Sequence, residues 1–317
     1  MAELSIDRYT VRGYRPGDAE ALAATYNAME RAVGGHPGYV ADETHAVIEG
    51  TVHDLDADTR LVFAPGGELA GAGIVATPPA GGYRVDLYGG VDPSFVGRGI
   101  GRAVLGWQIE RAAEIHKAVA PDAEWTLEVA MNLADGRAIR LYERLGFTVA
   151  RYFFEMLAPA RIGIEAPIPA GLRVITYDPS YERALYDAHM EAFSDHWGYQ
   201  RRDFEPWTGF TTRSELFRPE LSRIAFDGDE IAGYVLAYDD ADPDRAYVGQ
   251  VGTRRPWRRR GLAGGLLADV LGAAARAGKG HVYLGVDADS PTGAVGVYER
   301  VGFEVEARAV AYRKPLS

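Results

Sequence analysis

The 317-residue chain carries 34 Lys+Arg against 45 Asp+Glu, a formal net charge of −11, which argues against nucleic acid as the main partner. Its 47% hydrophobic and 25% charged composition is that of a soluble globular protein with room for two domains, and no window approaches the ~18 uninterrupted apolar residues of a membrane span. The absence of cysteine removes disulfides, thiolate metal sites and a cysteine nucleophile together; Met1 to Tyr9 lack the basic-then-apolar build of a signal peptide, so a cytoplasmic location is expected.

In chain order, Ile6 to Tyr14 alternates as a strand, and Pro16-Gly17-Asp18 opens a helix through Ala21, Leu22, Ala24, Tyr26 and Met29. Thr59 to Ala64 and Leu69 to Ala76 flank Pro65-Gly66-Gly67 as a hairpin. After the loop Pro78-Pro79-Ala80-Gly81-Gly82, Val85 to Val91 reads as a strand that runs into a glycine-bearing turn and a helix through Val104, Leu105, Trp107, Ile109, Ala112 and Ile115. The order then repeats. Leu172 to Tyr177 reads as a strand, Asp178-Pro179-Ser180 as a turn and cap, and Ala184 to Phe193 as a helix. A second hairpin folds about Asp227-Gly228-Asp229, and Tyr247 to Val251 forms a strand before a helix through Leu262, Leu266, Leu267, Val270, Leu271 and Ala274.

The closing segments align without a gap. Ala138 to Phe147 and Ala294 to Phe303 share six of ten residues at a constant offset, 298 − 142 = 303 − 147 = 156. This spacing indicates a tandem duplication. The expected division is a first domain over 1–157, a linker over 158–170 marked by Pro159, Pro167 and Pro169, and a second domain over 171–317.

The densest chemical signal is Arg254-Arg255-Pro256-Trp257-Arg258-Arg259-Arg260-Gly261-Leu262-Ala263, between a strand and a helix N-terminus. The first turn of a helix leaves backbone N–H groups unpaired and suited to phosphate, and glycine lets an oxygen approach the chain closely. Arginines add charge-assisted hydrogen bonds. So short a basic patch fits a nucleotide cofactor better than a duplex.

Arg258-x-x-Gly261-x-Ala263 resembles the Gln/Arg-x-x-Gly-x-Gly/Ala signature of the GNAT superfamily of N-acetyltransferases, in which this loop holds the pyrophosphate of acetyl-CoA. The helix bearing Tyr298 and the corner Gly302-Phe303 resemble the same family. The tandem arrangement, Glu191 to Gly198 and Asp287 to Ala294 are similar to mycothiol synthase and its actinobacterial relatives. The resemblance implies two GNAT-like α/β domains, each a mixed twisted sheet flanked by helices, and acetyl-CoA as cosubstrate. It implies acetyl transfer to a primary amine of a small molecule, by a monomer or homodimer.

It also implies roles for residues. Arg258, Arg259, Arg260, Gly261, Leu262 and Ala263 would hold pyrophosphate, Val251 and Thr253 would take main-chain contacts of the pantetheine arm, and Tyr298 would protonate the departing thiolate. In the first half Gly99 and Gly101 match the signature but Val96 stands where Arg or Gln is expected, so the second half is the expected catalytic one. The pair Gly99-x-Gly101 also admits a dinucleotide fingerprint, which Tyr142 on the following helix disfavours.

Relatives carry a strand glutamate as base where this chain has Tyr247, which leaves Asp239, Asp244, Asp287, Glu191, Asp195 and His196 as substitutes. Glu191, Asp195, His196 and Trp197, in an aromatic and acidic segment running to Trp207, are the candidate acceptor-binding residues. His189 and His196 lack chelating spacing, and no metal is expected. The rival is a non-catalytic tandem protein that binds or senses acyl-CoA; transfer of a longer acyl group is a further possibility.

Overall fold

The computed structural model describes residues 3–79, 81–290 and 292–316; the readings that included Ala80 and Pro291 lie outside the described residues at those two positions. Strand β1 (Thr10–Arg12) is followed by helices α1 (Ala19–Val33) and α2 (Ala41–Thr51), then β2 (Thr59–Phe63), β3 (Leu69–Ala76) and β4 (Arg84–Val91). Next come α3 (Ile100–Val119), β5 (Trp125–Asn132), α4 (Gly136–Arg144) and β6 (Thr148–Pro159). The order then recurs: β7 (Arg173–Thr176), α5 (Glu182–Phe193), α6 (Phe204–Phe210), β8 (Arg223–Asp227), β9 (Glu230–Asp239), β10 (Arg245–Thr253), α7 (Leu262–Arg276), β11 (His281–Asp287), α8 (Ala294–Arg300) and β12 (Glu304–Leu316).

Both hairpins lie where their turn residues put them, the long helices where hydrophobic periodicity does, and the two helix–Gly-Phe corners where the internal alignment does. The first strand is shorter than Ile6 to Tyr14. Helix α2 was not legible, because only Thr44 and Ile48 of its eleven residues are buried and two positions make no stripe. Helix α6 occupies part of the segment read as a loop, with Trp207 buried.

The chain forms two compact units: the stretch up to Arg151 together with the stretch from Ala309 onward, and Tyr152–Arg308. This division differs from the one expected at 158–170, and the reason is an exchange of strands. In the first unit the sheet runs β1-β2-β3-β4-β5-β12, and the last strand of the chain pairs antiparallel with β5 from Ala309↔Asn132 to Leu316↔Trp125. In the second it runs β7-β8-β9-β10-β11-β6, and β6 pairs with β11 from His281↔Pro159 to Asp287↔Phe153. Each unit is a mixed sheet whose single parallel pair, β4 with β5 or β10 with β11, sits beside the exchanged strand.

Side-chain burial explains the exchange. Val310 and Tyr312 of β12 pack with Leu127, Val129, Trp107 and Phe147 in the first unit, and Met156 and Ala158 of β6 pack with Val282, Leu284 and Leu267 in the second. The proline-bearing segment after β6 is not a free spacer: Ile164, Ala166 and Ile168 lie against the second core, and a Cβ on Gly265 would come within 2.7 Å of Ile168. Helix α7 is thereby covered on a second side, which accounts for its nearly continuous apolar sequence, where α3 keeps a polar face. No helix of the described residues is long and apolar enough to cross a membrane.

Candidate active site

Strands β10 and β11 part halfway. Their ladder runs from Arg245↔His281 to Val248↔Leu284 and stops, while β10 stays paired with β9 as far as Thr253↔Gly233. The parting coincides with a bulge in the β9 ladder between Val248 and Gln250, at Gly249, where a Cβ would stand 2.7 Å from the Tyr238 ring. Residues 250–253 therefore turn one backbone edge toward a slot instead of toward a strand. The first unit parts in the same way, with a continuous β3 ladder: β4 follows β5 only over Arg84↔Thr126 to Asp86↔Glu128, but follows β3 to Val91↔Gly71.

At the end of each slot stands the glycine loop. Gly261 (φ 86°, ψ 0°) caps α7, and Gly99 (φ 84°, ψ −10°) caps α3. Arg258 (φ −65°, ψ 154°) and Val96 (φ −61°, ψ 146°) take the same backbone conformation, so the duplicated loops agree in shape although not in charge. The next residue is left-handed in both, Gly97 at φ 87° in the first and Arg259 at φ 61° in the second. A side chain at positive φ costs roughly 1–2 kcal/mol, and such strain collects where function demands it. Sequence reading did not single out this feature; the alignment of Arg259 with Gly97 carried the signal.

Arg259 and Arg260 are exposed, and among the described residues neither has a side-chain hydrogen bond or ion pair. Replacing Arg259 by Gly should therefore leave stability unchanged or raise it by up to about 1 kcal/mol, while weakening acyl-CoA binding in a way that fades with added salt. Chemical denaturation and titration calorimetry at two salt concentrations would show it, and a variant that loses stability with unchanged affinity would contradict it.

Arg258 is placed differently from the expectation that its side chain reaches phosphate. Its guanidinium donates to Asp195 through Nη1 (2.5 Å) and Nη2 (3.0 Å), to the Ala192 carbonyl (2.9 Å) and, through Nε, to the Thr253 carbonyl (3.1 Å). The arginine fork matches a carboxylate and the carbonyl-rich C-terminal end of α5 at once. It ties the end of β10 to α5 and the segment after it. Asp195, expected to meet the acceptor, is held below the ordinary carboxylate range chiefly by this hydrogen bond. Glu191 is likewise engaged, receiving Arg254 Nε at 2.6 Å, and the Arg254 guanidinium lies 5.3 Å from the Trp257 ring centroid.

The other substitutes for a base divide the same way. Asp239 pairs with Arg218 and Lys279, and Asp244 with His281. Asp287 accepts from the Asp289 backbone N–H. His196 stacks on Phe193 with centroids 4.2 Å apart, and no carboxylate of a described residue comes within ion-pair distance of it. Burial pulls its pKa below the ordinary histidine value, against the opposing pull of Asp195; Arg258 adds to the lowering and Asp287 opposes it. The ring is neutral near pH 7. Trp197 lies edge-on to Phe153 of β6 at 5.8 Å, so the exchanged strand forms part of this region.

His189, also stacked on Phe193 with centroids 4.3 Å apart, has a structural task. The Tyr234 hydroxyl, whose pKa burial raises well above its normal value, shares a hydrogen bond with His189 Nδ1 at 2.6 Å. Burial, with a smaller push from His196, lowers the His189 pKa to about 4. The unfolded chain thus binds a proton below about pH 6.5 that the folded chain refuses until about pH 4. Stability from this group is present above the first value and lost as pH falls through the window, on the order of 3 kcal/mol in total. Urea unfolding near pH 7 and near pH 4.5 should show a smaller acid loss in His189→Gln than in the wild type; equal losses would refute the assignment.

Tyr298 is buried on α8 against Phe303, ring centroids 6.1 Å apart, and burial raises its pKa to about 12. Its repeat partner Tyr142 is also raised to about 12, by burial and then by Asp135. Tyr247, where a carried-over glutamate would stand, stacks on Tyr283 at 4.8 Å. Val251 packs toward α7, Leu262 is buried as the first residue of α7, and Ala263 is half-buried beside it. Gly101 lies near Val91 and Leu141 in the first unit. Among the described residues, no group of three His, Cys, Asp or Glu side chains is placed to hold a metal.

A parted parallel strand pair, a glycine-capped helix after it and a buried tyrosine on the next helix thus occur in both units. The model of the acetyltransferase (GNAT) family matches residues 182–303, and that of the acetyltransferase (GNAT) domain matches 39–149. The chain belongs to the GNAT family. It is similar to a mycothiol acetyltransferase of Thermobispora bispora, 29% identical and covering 94% of this chain and 97% of that one. Another, from Clavibacter sepedonicus, is 30% identical over 82% of each. Among solved structures, a GCN5-related N-acetyltransferase from Sphaerobacter thermophilus is 34% identical with a TM-score of 0.80, covering 98% of this chain and 96% of that one.

Proposed function

We propose that this protein transfers the acetyl group of acetyl-CoA to a primary amine of a small molecule, and that the second unit carries the catalysis. The observation that carries the reading is the parting of β10 from β11 after Val248, in line with the Gly261 loop. The slot offers main-chain hydrogen bonds to a pantetheine arm from Val251 and Thr253, and the start of α7 with Arg259 and Arg260 offers donors to the pyrophosphate. Arg258 serves by fixing the loop to α5.

The thioester carbonyl then lies along the free edge of β10, where a backbone N–H stabilises the oxyanion. The amine nitrogen attacks the carbonyl carbon, the C–S bond breaks, and Tyr298 gives its proton to the thiolate. Neutral His196 accepts the proton released by the amine. The mycothiol acetyltransferase relatives support a small-molecule amine as acceptor. The non-catalytic alternative is favoured by the tyrosine at position 247 in place of a glutamate.

Titration calorimetry with acetyl-CoA, followed by release of free CoA against a panel of primary amines, decides between them. Binding with amine-dependent CoA release supports the enzyme, and binding without any release supports the sensor. No binding would sink both.

A further inference from the structure

We infer that Gln250 binds the acceptor amine, its side-chain carbonyl taking a hydrogen bond from the nucleophilic N–H. Gln250 is the first residue past the bulge in β10, at the point where the slot opens. Its Oε1 is buried, and no described residue hydrogen-bonds the side chain. Buried polar atoms in folded proteins almost always have partners, so one without any calls for an explanation.

Register decides which face it occupies. Gln250 stands opposite Leu236, as Tyr247 stands opposite Tyr238 and Gly252 opposite Tyr234, and cross-strand partners share a face. Leu236, Tyr238 and Tyr234 belong to the aromatic cluster with Tyr186 and Ala188 of α5. Val248, Val235 and Ala237 belong to the core under α7, with Val251 packed against it. Gln250 therefore lies on the α5 face, away from the helix whose N-terminus takes the phosphates. A nucleophile must approach the thioester from the side that the cofactor leaves open, and this is that side. Opposite the parted edge, Gly285 of β11 is exposed and has open space where a Cβ would be, so nothing on β11 fills the position.

The chemistry is specific. A neutral amide oxygen accepts from a neutral amine without holding it as an ammonium ion, which a carboxylate at this place would do; the lone pair stays available for attack. Thr253 Oγ1, buried and also without a partner, lies three residues on, opposite Gly233. The opened stretch of β10 thus carries an unmet polar atom at each end.

The inference rests on the acetyl transfer proposed above, and the test keeps the two apart. Gln250→Leu and Gln250→Asn would be compared with the wild type in three measurements: acetyl-CoA affinity by calorimetry, thermal midpoint of the free protein, and CoA release with ethanolamine, tyramine, glucosamine and lysine. Expected for Gln250→Leu are an affinity within about twofold of wild type, a midpoint equal or higher because an unmet acceptor has been removed, and an amine KM raised about tenfold or more, which Gln250→Asn partly restores. A midpoint several degrees lower would overturn the inference even if no panel amine is turned over, since it would show the amide in structural use. Unchanged amine KM in Gln250→Leu would overturn it as well. Failure of wild-type acetyl-CoA binding would instead remove the acetyl-transfer reading on which the inference stands.

Discussion

Tyr298→Phe is expected to lower kcat by roughly 100-fold to 1000-fold, within the range that a positioned general acid contributes, while acetyl-CoA affinity stays within about twofold of wild type. The phenol is the only polar atom removed, and its ring packing against Phe303 is kept. Burial raises its pKa to about 12, which keeps the proton on the oxygen throughout the neutral range. Tyr142→Phe in the first unit is the matched control, with the same corner and the same direction of shift. Its kcat should be that of the wild type. Equal losses in both variants, or no loss in Tyr298→Phe, would refute the assignment of the acid and of the catalytic unit.

The largest effect on stability should follow from ending the chain before Ala309. That truncation removes Val310, Ala311 and Tyr312, all buried in the first unit, together with the ladder to β5. The two larger side chains each represent about 1.5–3 kcal/mol of burial. Glu128, buried and raised in pKa chiefly by that burial, loses Arg313, which donates to it at 2.6 Å, and retains Arg84 at 3.7 Å. Against a typical total of about 5–15 kcal/mol for a domain, the first unit should no longer hold its native fold. Hydrogen exchange resolved by segment should show lost protection in β4 and β5. Addition of a peptide spanning residues 304–316 should restore it. Wild-type protection in the truncated protein would show that β12 is dispensable.

What the sequence disclosed and what it did not follows the distance between cause and effect. The Gly261 loop and the Tyr298 corner are local: a strand, a turn and a helix start within some twenty residues, so spacing suffices to place them. Arg258 was assigned to phosphate on the same local evidence, and its charge is met by Asp195, 63 residues earlier. No periodicity reports such a pair. Asp195 and Glu191 looked like free acceptor ligands for the same reason. The strained Arg259 and the bulge at Gly249 needed backbone angles and register, which composition does not express. The duplication was plain from ten aligned residues, yet it suggested two halves cut at the prolines, because identity in sequence says nothing about which copy of a strand completes which sheet.

That last point bears on how the protein is made. Arg313 reaches Glu128 across 185 positions of chain, so the first unit cannot close its sheet during early synthesis. Its β5 edge and the apolar side chains Leu127 and Val129 wait while the entire second unit is translated. A ribosome adding about 5–20 residues per second would leave that edge open for some ten seconds or more, a period in which pairing with another chain competes with pairing at home. The second unit needs no such delay, since β6 precedes it. The duplicated architecture thus finishes in reverse order: the later unit is the first that can complete its fold, and the earlier one is sealed only once β12 has emerged.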